Sequence, residues 1–380
     1  MTDRKLARVV LIDELLPIEG ADRIELAIVG GWQVIVQKGL YTPGSKAVYF
    51  EVDSLLNTEM PMFVSLSKLS SKLLHSVNGV THARIKTMKM KGQISQGFCI
   101  PLSEAGVSSD TPVDTDLTEY LSVLKYESAG EASLNNAGGL KTGSSALGFP
   151  KFIPKTDQTR VQNITALFNK AVESGELFEK SFKLDGSSLT AFVKDGELGV
   201  CSRNVGFRLE DENKGLVKTI KDFIAQWKQR GFKNAVWQPV IKADDNAFTQ
   251  MAVKAGLIEA LSMDGRNIAI QGEMVGPSIQ KNFEGVAENE FYCYDVYLID
   301  EQRYMLPVER QSFLKEHGIA SVPLASPHGV VLPTTVVLAI ADADGPSGLN
   351  GKYREGFVYK AMERDFSFKV ISNKYLLKEE

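Results

Sequence analysis

Between Tyr126 and Pro150 the chain reads ESAGEASLNNAGGLKTGSSALGFP, and this stretch constrains the fold more than any other. Rich in Gly, Ser, Ala and Asn and poor in bulky apolar residues, it cannot bury enough surface to order itself, so residues 126–150 read as a flexible linker or mobile loop. At 380 residues the chain also exceeds the usual single domain. The linker divides it into 1–125 and 151–380, and the texture differs on its two sides.

Residues 1–125 are mainly β. The runs ARVVLIDELL, GGWQVIVQ, KAVYFEVDSLL, HARIKTMKM and QGFCIPL are β-branched and separated by Gly, Pro and Asn, with one helical patch near SLSKLSSKLL. Strands at this spacing predict a small β-barrel, and the OB-fold leads because such barrels commonly bind oligonucleotides. That last step is fold analogy and does not show binding.

Residues 151–380 are mixed α/β. Thr156 or Asp157 is placed to cap a helix through RVQNITALFNKAVE, ended near Gly175. A meander follows: FEKSFKL, the turn DGSS, LTAFV, the turn KDG, then ELGVCSRN. Helices are expected over NKGLVKTIKDFIAQWKQ, over DNAFTQMAVKAGLIEALSM and, opened by Pro307, over VERQSFLKEH. The remaining strands are NIAIQGEMV, FYCYDVYLID, EGFVYKAM and FSFKVIS. The fold class is therefore α+β, without an internal repeat.

Several function classes drop out. A net charge of −4 argues against charge-dominated DNA binding, although local distribution matters more than the sum. Cys99, Cys201 and Cys293 lie far apart with no CxxC spacing, so they indicate buried small hydrophobes and neither a disulfide framework nor a zinc site. No apolar stretch approaches the roughly 20 residues that cross a bilayer, and MTDRKLARVV lacks signal-peptide architecture, so a cytoplasmic protein is expected. The one conspicuous basic run holds Arg84, Lys86, Lys89 and Lys91; on its own it is the solvated face of an edge strand.

The sharpest chemical feature is Lys183-Leu-Asp185-Gly186, where an apolar strand meets a tight turn. Asp-Gly turns are common, and Lys194-Asp195-Gly196 has the same look without the same spacing. The physics is nonetheless suggestive of a nucleophile. A strand end fixes the amine, the glycine lets another group approach, and a lysine nucleophile needs a desolvated, cation-rich surrounding that lowers its pKa.

Further segments follow in order: Ser202-Arg203-Asn204; QGEMVGPSIQK with Glu273 and Gln280; FYCYD with Tyr294; EGFVYK with Glu355 and Lys360; and FKVISNK with Lys369 and Lys374. This succession resembles the ordered motifs of the covalent nucleotidyltransferases, the polynucleotide ligases and mRNA capping enzymes. GEMVGPSIQK and EGFVYK look like the RNA-ligase versions. With KLARVVLIDELLPIEGADRIELAIVGGWQVIVQKG, RIKTMKMKGQISQG, FPKFIPKTDQTRVQN and FKVISNKYLL, the likeness extends over almost the whole chain and is to the ATP-dependent RNA ligases of the Deinococcus and Naegleria type.

The resemblance implies an N-terminal OB-like domain before an ATP-grasp-like nucleotidyltransferase domain with antiparallel sheets. It implies that Lys183 attacks the α-phosphorus of ATP and carries AMP, which passes to an RNA 5′-phosphate before a 3′-hydroxyl completes the joint. Arg203 would contact phosphate or the incoming 5′-end, Glu273 the ribose hydroxyls or water on the metal, and Tyr294 the adenine face. Glu355, with Asp185 further out, would hold Mg²⁺ or Mn²⁺, and Lys369 would neutralise the α-phosphate. Arg84, Lys86, Lys89 and Lys91 would grip the RNA, expected as a duplex or a nick, and a monomer suffices.

Each residue also has a plain reading. Arg203 alone is a surface strand residue, Tyr294 and Phe291 are core, Glu355 is a solvated turn, and Lys360 and Lys374 are structural or surface residues. Arg160 reaches either the β/γ phosphates or a helix-face salt bridge. Gln280 rests on the likeness alone. One departure is that related ligases often end in Lys-x-Lys, whereas Lys369 is followed by Val370 and Ile371, leaving Lys374 as a partial substitute. A DNA ligase or capping guanylyltransferase normally adds an OB domain after the core, for which the text beyond Lys369 leaves no room. A catalytically dead RNA-binding relative would have lost Lys183 or Glu355.

Overall fold

The computed structural model describes residues 4–126, 147–211, 241–243 and 246–378. Most of the expected linker and the whole expected helix NKGLVKTIKDFIAQWKQ lie outside the described residues. Among those described, no helix is long and apolar enough to cross a membrane.

The first part carries β1 (Ala7–Leu11), β2 (Glu14–Pro17), β3 (Ile24–Val29), β4 (Trp32–Gln37), β5 (Lys46–Phe50), β6 (Ser54–Asn57), β7 (Leu74–Val77), β8 (Val80–Arg84), β9 (Thr87–Met90), β10 (Gln93–Gln96), β11 (Phe98–Pro101) and β12 (Leu124–Lys125). They form sheets β1–β5–β11, β2–β3–β4 and β12–β6–β8–β7 and the hairpin β9–β10. The arrangement is OB-like, but among the described residues it is not the single closed barrel expected. The apolar run KAVYF explains why: Val48 and Phe50 enter one core with Leu56 and Phe63, while Ala47 and Tyr49 enter another with Trp32 and Val34. A strand buried on both faces is a wall between two cores, not a stave with one inner face.

HARIKTMKM is also broken in two. Ile85 turns inward, its backbone bonding to Asp53 and Ser54, and β9 starts afresh beyond it. Lys91 and Gly92 then close the β9–β10 hairpin with φ of 50° and 80°, the signature of a tight two-residue turn. The patch near SLSKLSSKLL forms 3₁₀ turns at Pro61–Lys68 and Ser71–Leu73.

The second part runs β13 (Leu147–Gly148), α1 (Thr165–Ser174), β14 (Leu177–Lys183), β15 (Ser187–Lys194), β16 (Glu197–Cys201), β17 (Val205–Asp211), β18 (Ile241–Ala243), α2 (Ala247–Lys254), α3 (Leu257–Asp264), β19 (Ile268–Val275), β20 (Glu290–Leu298), β21 (Arg303–Tyr304), α4 (Pro307–His317), β22 (Leu324–Val331), α5 (Val336–Asp342), β23 (Gly356–Ala361), β24 (Ser367–Ile371) and α6 (Asn373–Lys378). Two antiparallel sheets result, β13–β17–β16–β15–β19–β20–β21 with β18 beside β17, and β22–β14–β23–β24. One face of the large sheet (Leu189, Ile270, Met274, Phe291) packs on Phe248, Leu261 and Phe313 of α2, α3 and α4. The small sheet buries Phe178, Phe357 and Phe368 against Phe168 of α1 and Ile340 of α5.

Three expectations need correction. The helix after Thr156 begins only at Thr165, behind a 3₁₀ turn at Val161–Asn163, because the segment before it is held extended against β24, where Thr159 accepts the Lys369 amide and Arg160 bridges to Lys369. Neither Thr156 nor Asp157 caps it. DNAFTQMAVKAGLIEALSM is two helices, α2 and α3, broken at Gly256 (φ 71°). Strand β22 and helices α5 and α6 were not foreseen.

Two buried ion pairs tie the layers together, Glu179 of β14 with Arg310 of α4 and Asp295 of β20 with Lys360 of β23. Arg310→Met would leave the fully buried Glu179 carboxylate with Gln311 alone as donor among the described residues. Urea unfolding is expected to show a loss of about 3–5 kcal/mol, with the double variant Glu179→Leu/Arg310→Met recovering most of it. A single variant as stable as the parent would contradict this.

Candidate active site

Strand pairing builds the centre. Lys183 ends β14 in register with Gly356 of β23, so Glu355 arrives beside the amine. Lys183 Nζ lies 2.6 Å from Glu355 Oε2, the carboxylate nearly buried and the lysine half-buried. The turn after Lys183 permits no side chain at Gly186, where a Cβ would sit 2.1 Å from the Met274 carbonyl oxygen. That contact holds the turn against β19, and Glu273 of β19 packs beside it and accepts a hydrogen bond from the Gly186 amide. Glu284 fixes the same turn from below, accepting from the Asp185 amide at 2.9 Å and the Ser347 hydroxyl at 2.7 Å.

The electrostatics correct one expectation. Burial pulls the Lys183 pKa down, but Glu355, Glu273 and Asp185 outweigh it, and the amine sits above its ordinary value. Its surroundings are carboxylate-rich, not cation-rich. Burial, opposed by Lys183 and reinforced by Glu355 and Asp185, pushes the Glu273 carboxyl up to about 8. Negative charge is thus in excess here, which suits a divalent cation. Among the described residues no three carboxylate, His or Cys groups converge on a common point, so the set suits a hard ion held largely through its own waters.

The cations gather on the other side. Lys369 in β24 is pulled down to about 7 by burial, by Lys183 and by Arg160. Arg160 bridges to Lys369 through the backbone, and its guanidinium lies over the Trp32 ring, 5.7 Å from the centroid. It lies before the helix in extended chain, so the helix-face salt bridge is excluded. Its Nη1 is buried without a hydrogen-bond partner among the described residues. Crowded, desolvated cations of this kind favour an anion such as phosphate. Arg203 stands at the rim, donating to both oxygens of Asp157 at 2.9 and 2.7 Å.

Tyr294 occupies a bulge. Gln271 faces Asp295 and Gly272 faces Cys293, which leaves Tyr294 unpaired and turns it to the same side as Glu273. Its hydroxyl is 3.0 Å from Ser188 Oγ, itself 3.1 Å from Thr156 Oγ1, so the half-buried ring is held at its tip. Tyr294 is half-buried beside the cluster of Leu184, Val275, Val286 and Val322, whereas Phe291 is fully core.

Other candidates fall elsewhere. Arg84 pairs with Asp53 at 2.8 Å and covers the Tyr126 ring 3.6 Å from its centroid, so its expected place on an open basic face is corrected to a packed one. Lys86 is half-buried; Lys89 and Lys91 are exposed around the β9–β10 turn. Gln280 is exposed after β19, in left-handed backbone with Lys281 and Asn282. Lys374 is exposed on α6, and Lys360 is the buried partner of Asp295. All three cysteines are buried.

Sequence reasoning missed Glu284, Ser188, Thr156 and Asn163. Asn163 joins the two parts, accepting from Trp32 Nε1 at 2.9 Å and Arg8 Nη2 at 3.0 Å and donating to Glu51 at 3.3 Å. Only Ser188 carried a local signal, as the serine after the Lys183 turn.

Two family models match the chain: one described as an OB-fold domain over residues 6–102, and one described as RNA ligase over residues 178–371. No curated protein matches. Among solved structures, a mutant of Naegleria gruberi RNA ligase with AMP and Mn is 34% identical, with a TM-score of 0.81 and 99% of each chain covered. Another mutant of that enzyme, with ATP and Mn, is 34% identical with a TM-score of 0.80 over 98% of each chain. The same enzyme with PPi gives 34% identity and a TM-score of 0.79, again over 98% of each.

Proposed function

This chain belongs to the RNA ligase family, and from that premise we propose that it seals RNA 5′-phosphate and 3′-hydroxyl ends with ATP through an AMP adduct on Lys183. The observation that carries the reading is the amine of Lys183 set between the carboxylates Glu355 and Glu273 and the cations Lys369 and Arg160.

The Lys183 nitrogen attacks the α-phosphorus of ATP; an N–P bond forms, the α–β bridging bond breaks and pyrophosphate leaves. Glu355, already hydrogen-bonded to the amine, is placed to take its proton. Lys369 faces the α-phosphate, and Arg160 the two phosphates that depart. Glu273 and Glu355, with Asp185 further out, would hold a divalent cation, which would supply positive charge to the transferring phosphate and offset the carboxylate charge that raises the Lys183 pKa. Tyr294, fixed at its hydroxyl, offers a flat face to adenine. An oxygen of the RNA 5′-phosphate, the end received by Arg203, next attacks the AMP phosphorus; the N–P bond breaks, Lys183 is freed, and AMP is joined to the 5′-phosphorus. The 3′-hydroxyl attacks that phosphorus, and AMP leaves.

Lys89 and Lys91, with Lys86 beside them, form the grip on duplex backbone, and Gln280 lies on the loop after β19 as a further contact. The test is sealing of a nicked duplex with an RNA 3′-hydroxyl strand, compared with a DNA one. The RNA nick is expected to be joined faster; joining of the DNA nick alone would overturn the reading. In the same assay Lys89→Ala/Lys91→Ala is expected to weaken nick binding and flatten the log–log salt slope by roughly 2, with adduct formation on Lys183 unchanged. An unchanged slope would remove both lysines from the grip.

A further inference from the structure

Two buried polar groups on the floor of this cleft have no part in the mechanism above. Ala269, Gln271 and Glu273 alternate along β19 and so share a face. Gln271 and Thr190 are opposite one another in the β15–β19 register, two places deeper than the pair Glu273 and Ser188. Below them the face is closed, since Ile153 packs over Ala269 with Tyr297. Gln271 is fully buried and Thr190 is 1% exposed, yet Gln271 Oε1 and Thr190 Oγ1 make no hydrogen bond among the described residues. Leaving such groups unsatisfied is expensive, which argues for a ligand that completes them.

The orientation of Gln271 is fixed by chemistry. Its Nε2 donates to the Pro154 carbonyl at 3.1 Å, an acceptor that the amide oxygen could not face, so the oxygen is the free arm. That arm accepts and cannot donate. The neighbouring Thr190 hydroxyl can donate. An acceptor beside a donor complements the edge of adenine, where a 6-amino group adjoins N1; guanine presents the reverse, a 6-oxo group adjoining N1–H.

We propose that Gln271 is a specificity-determining residue whose side-chain oxygen accepts a hydrogen bond from the 6-amino group of adenine, so that ATP is chosen over GTP. This rests on the reading of the cleft as the nucleotide pocket that feeds Lys183. A guanine would set oxygen against oxygen in a dry site. A purine lacking the 6-amino group would leave Gln271 unsatisfied without a clash.

The experiment compares single-turnover adduct formation on the full chain with ATP, GTP and purine riboside triphosphate, read by intact mass. Wild type is expected to favour ATP over purine riboside triphosphate by roughly tenfold to a hundredfold, the range for one buried hydrogen bond. In Gln271→Met, and in Gln271→Asn as a second variant, that preference is expected to fall to within about twofold, the loss falling on ATP alone. The ratio is taken within each variant, so partial misfolding does not move it. Variants that keep the wild-type ratio, or slow both nucleotides equally, overturn the proposal. A wild type that forms no adduct with any of the three overturns the reading of the cleft instead.

Discussion

Lys369→Met is expected to slow AMP transfer to Lys183 by roughly a hundredfold to a thousandfold, the usual loss when one preorganised donor to a developing phosphate charge is removed. The side chain sits in β24 with its charge opposed by burial, by Lys183 and by Arg160, which together bring it down to about 7. A cation held under that strain is stabilised when the α-phosphate arrives and more so as the phosphorus takes on negative charge. Methionine keeps the length and removes the charge, and among the described residues no ion pair is broken, so the fold is expected to survive. A pH signature separates this role from a structural one. In the free enzyme Lys369 is charged below about pH 7 and neutral above it, so capture of ATP weakens as pH rises through that value. The variant should lose that dependence. Rapid quench from pH 6 to 9 measures both, and a variant within about threefold of wild type would remove Lys369 from the chemistry.

The two-part organisation, the antiparallel sheets and the order of the motifs were legible because each is local. A strand, a turn and a short motif announce themselves within ten residues or so. What was misread depended on partners far along the chain. Arg84 looked like part of a basic face, but Asp53 and Tyr126 cover it from other strands. KAVYF looked like one stave of a barrel, because burial on two faces cannot be told from an ordinary apolar run. Lys183 was assigned a cation-rich surrounding from the needs of a nucleophile, whereas the strands carrying Glu355 and Glu273 deliver carboxylates first. Glu284 and Asn163 had no signature because each acts by hydrogen bonds to groups at least 63 residues away along the chain. The Gln271 amide shows its meaning only once its nitrogen is seen to be engaged and its oxygen not.

Lys183→Ala carries the largest expected effect. AMP reaches the RNA end only through this nitrogen, and among the described residues no other amine shares its place: Lys369 faces it across the cleft as a charge, and Lys360 is locked to buried Asp295. Without the nucleophile, the remaining carboxylates and cations can bind nucleotide but have nothing to bond to its phosphorus. The variant should therefore fold, bind ATP and still join a nick whose 5′-end already carries AMP, because that last step needs the cleft and not the lysine. The most direct measurement is the intact mass of the purified chain after incubation with ATP and Mn²⁺. Wild type should gain the mass of one AMP, released on addition of a 5′-phosphorylated nick, and Lys183→Ala should gain none. An AMP adduct on the folded Lys183→Ala chain, or none on wild type, would contradict the account.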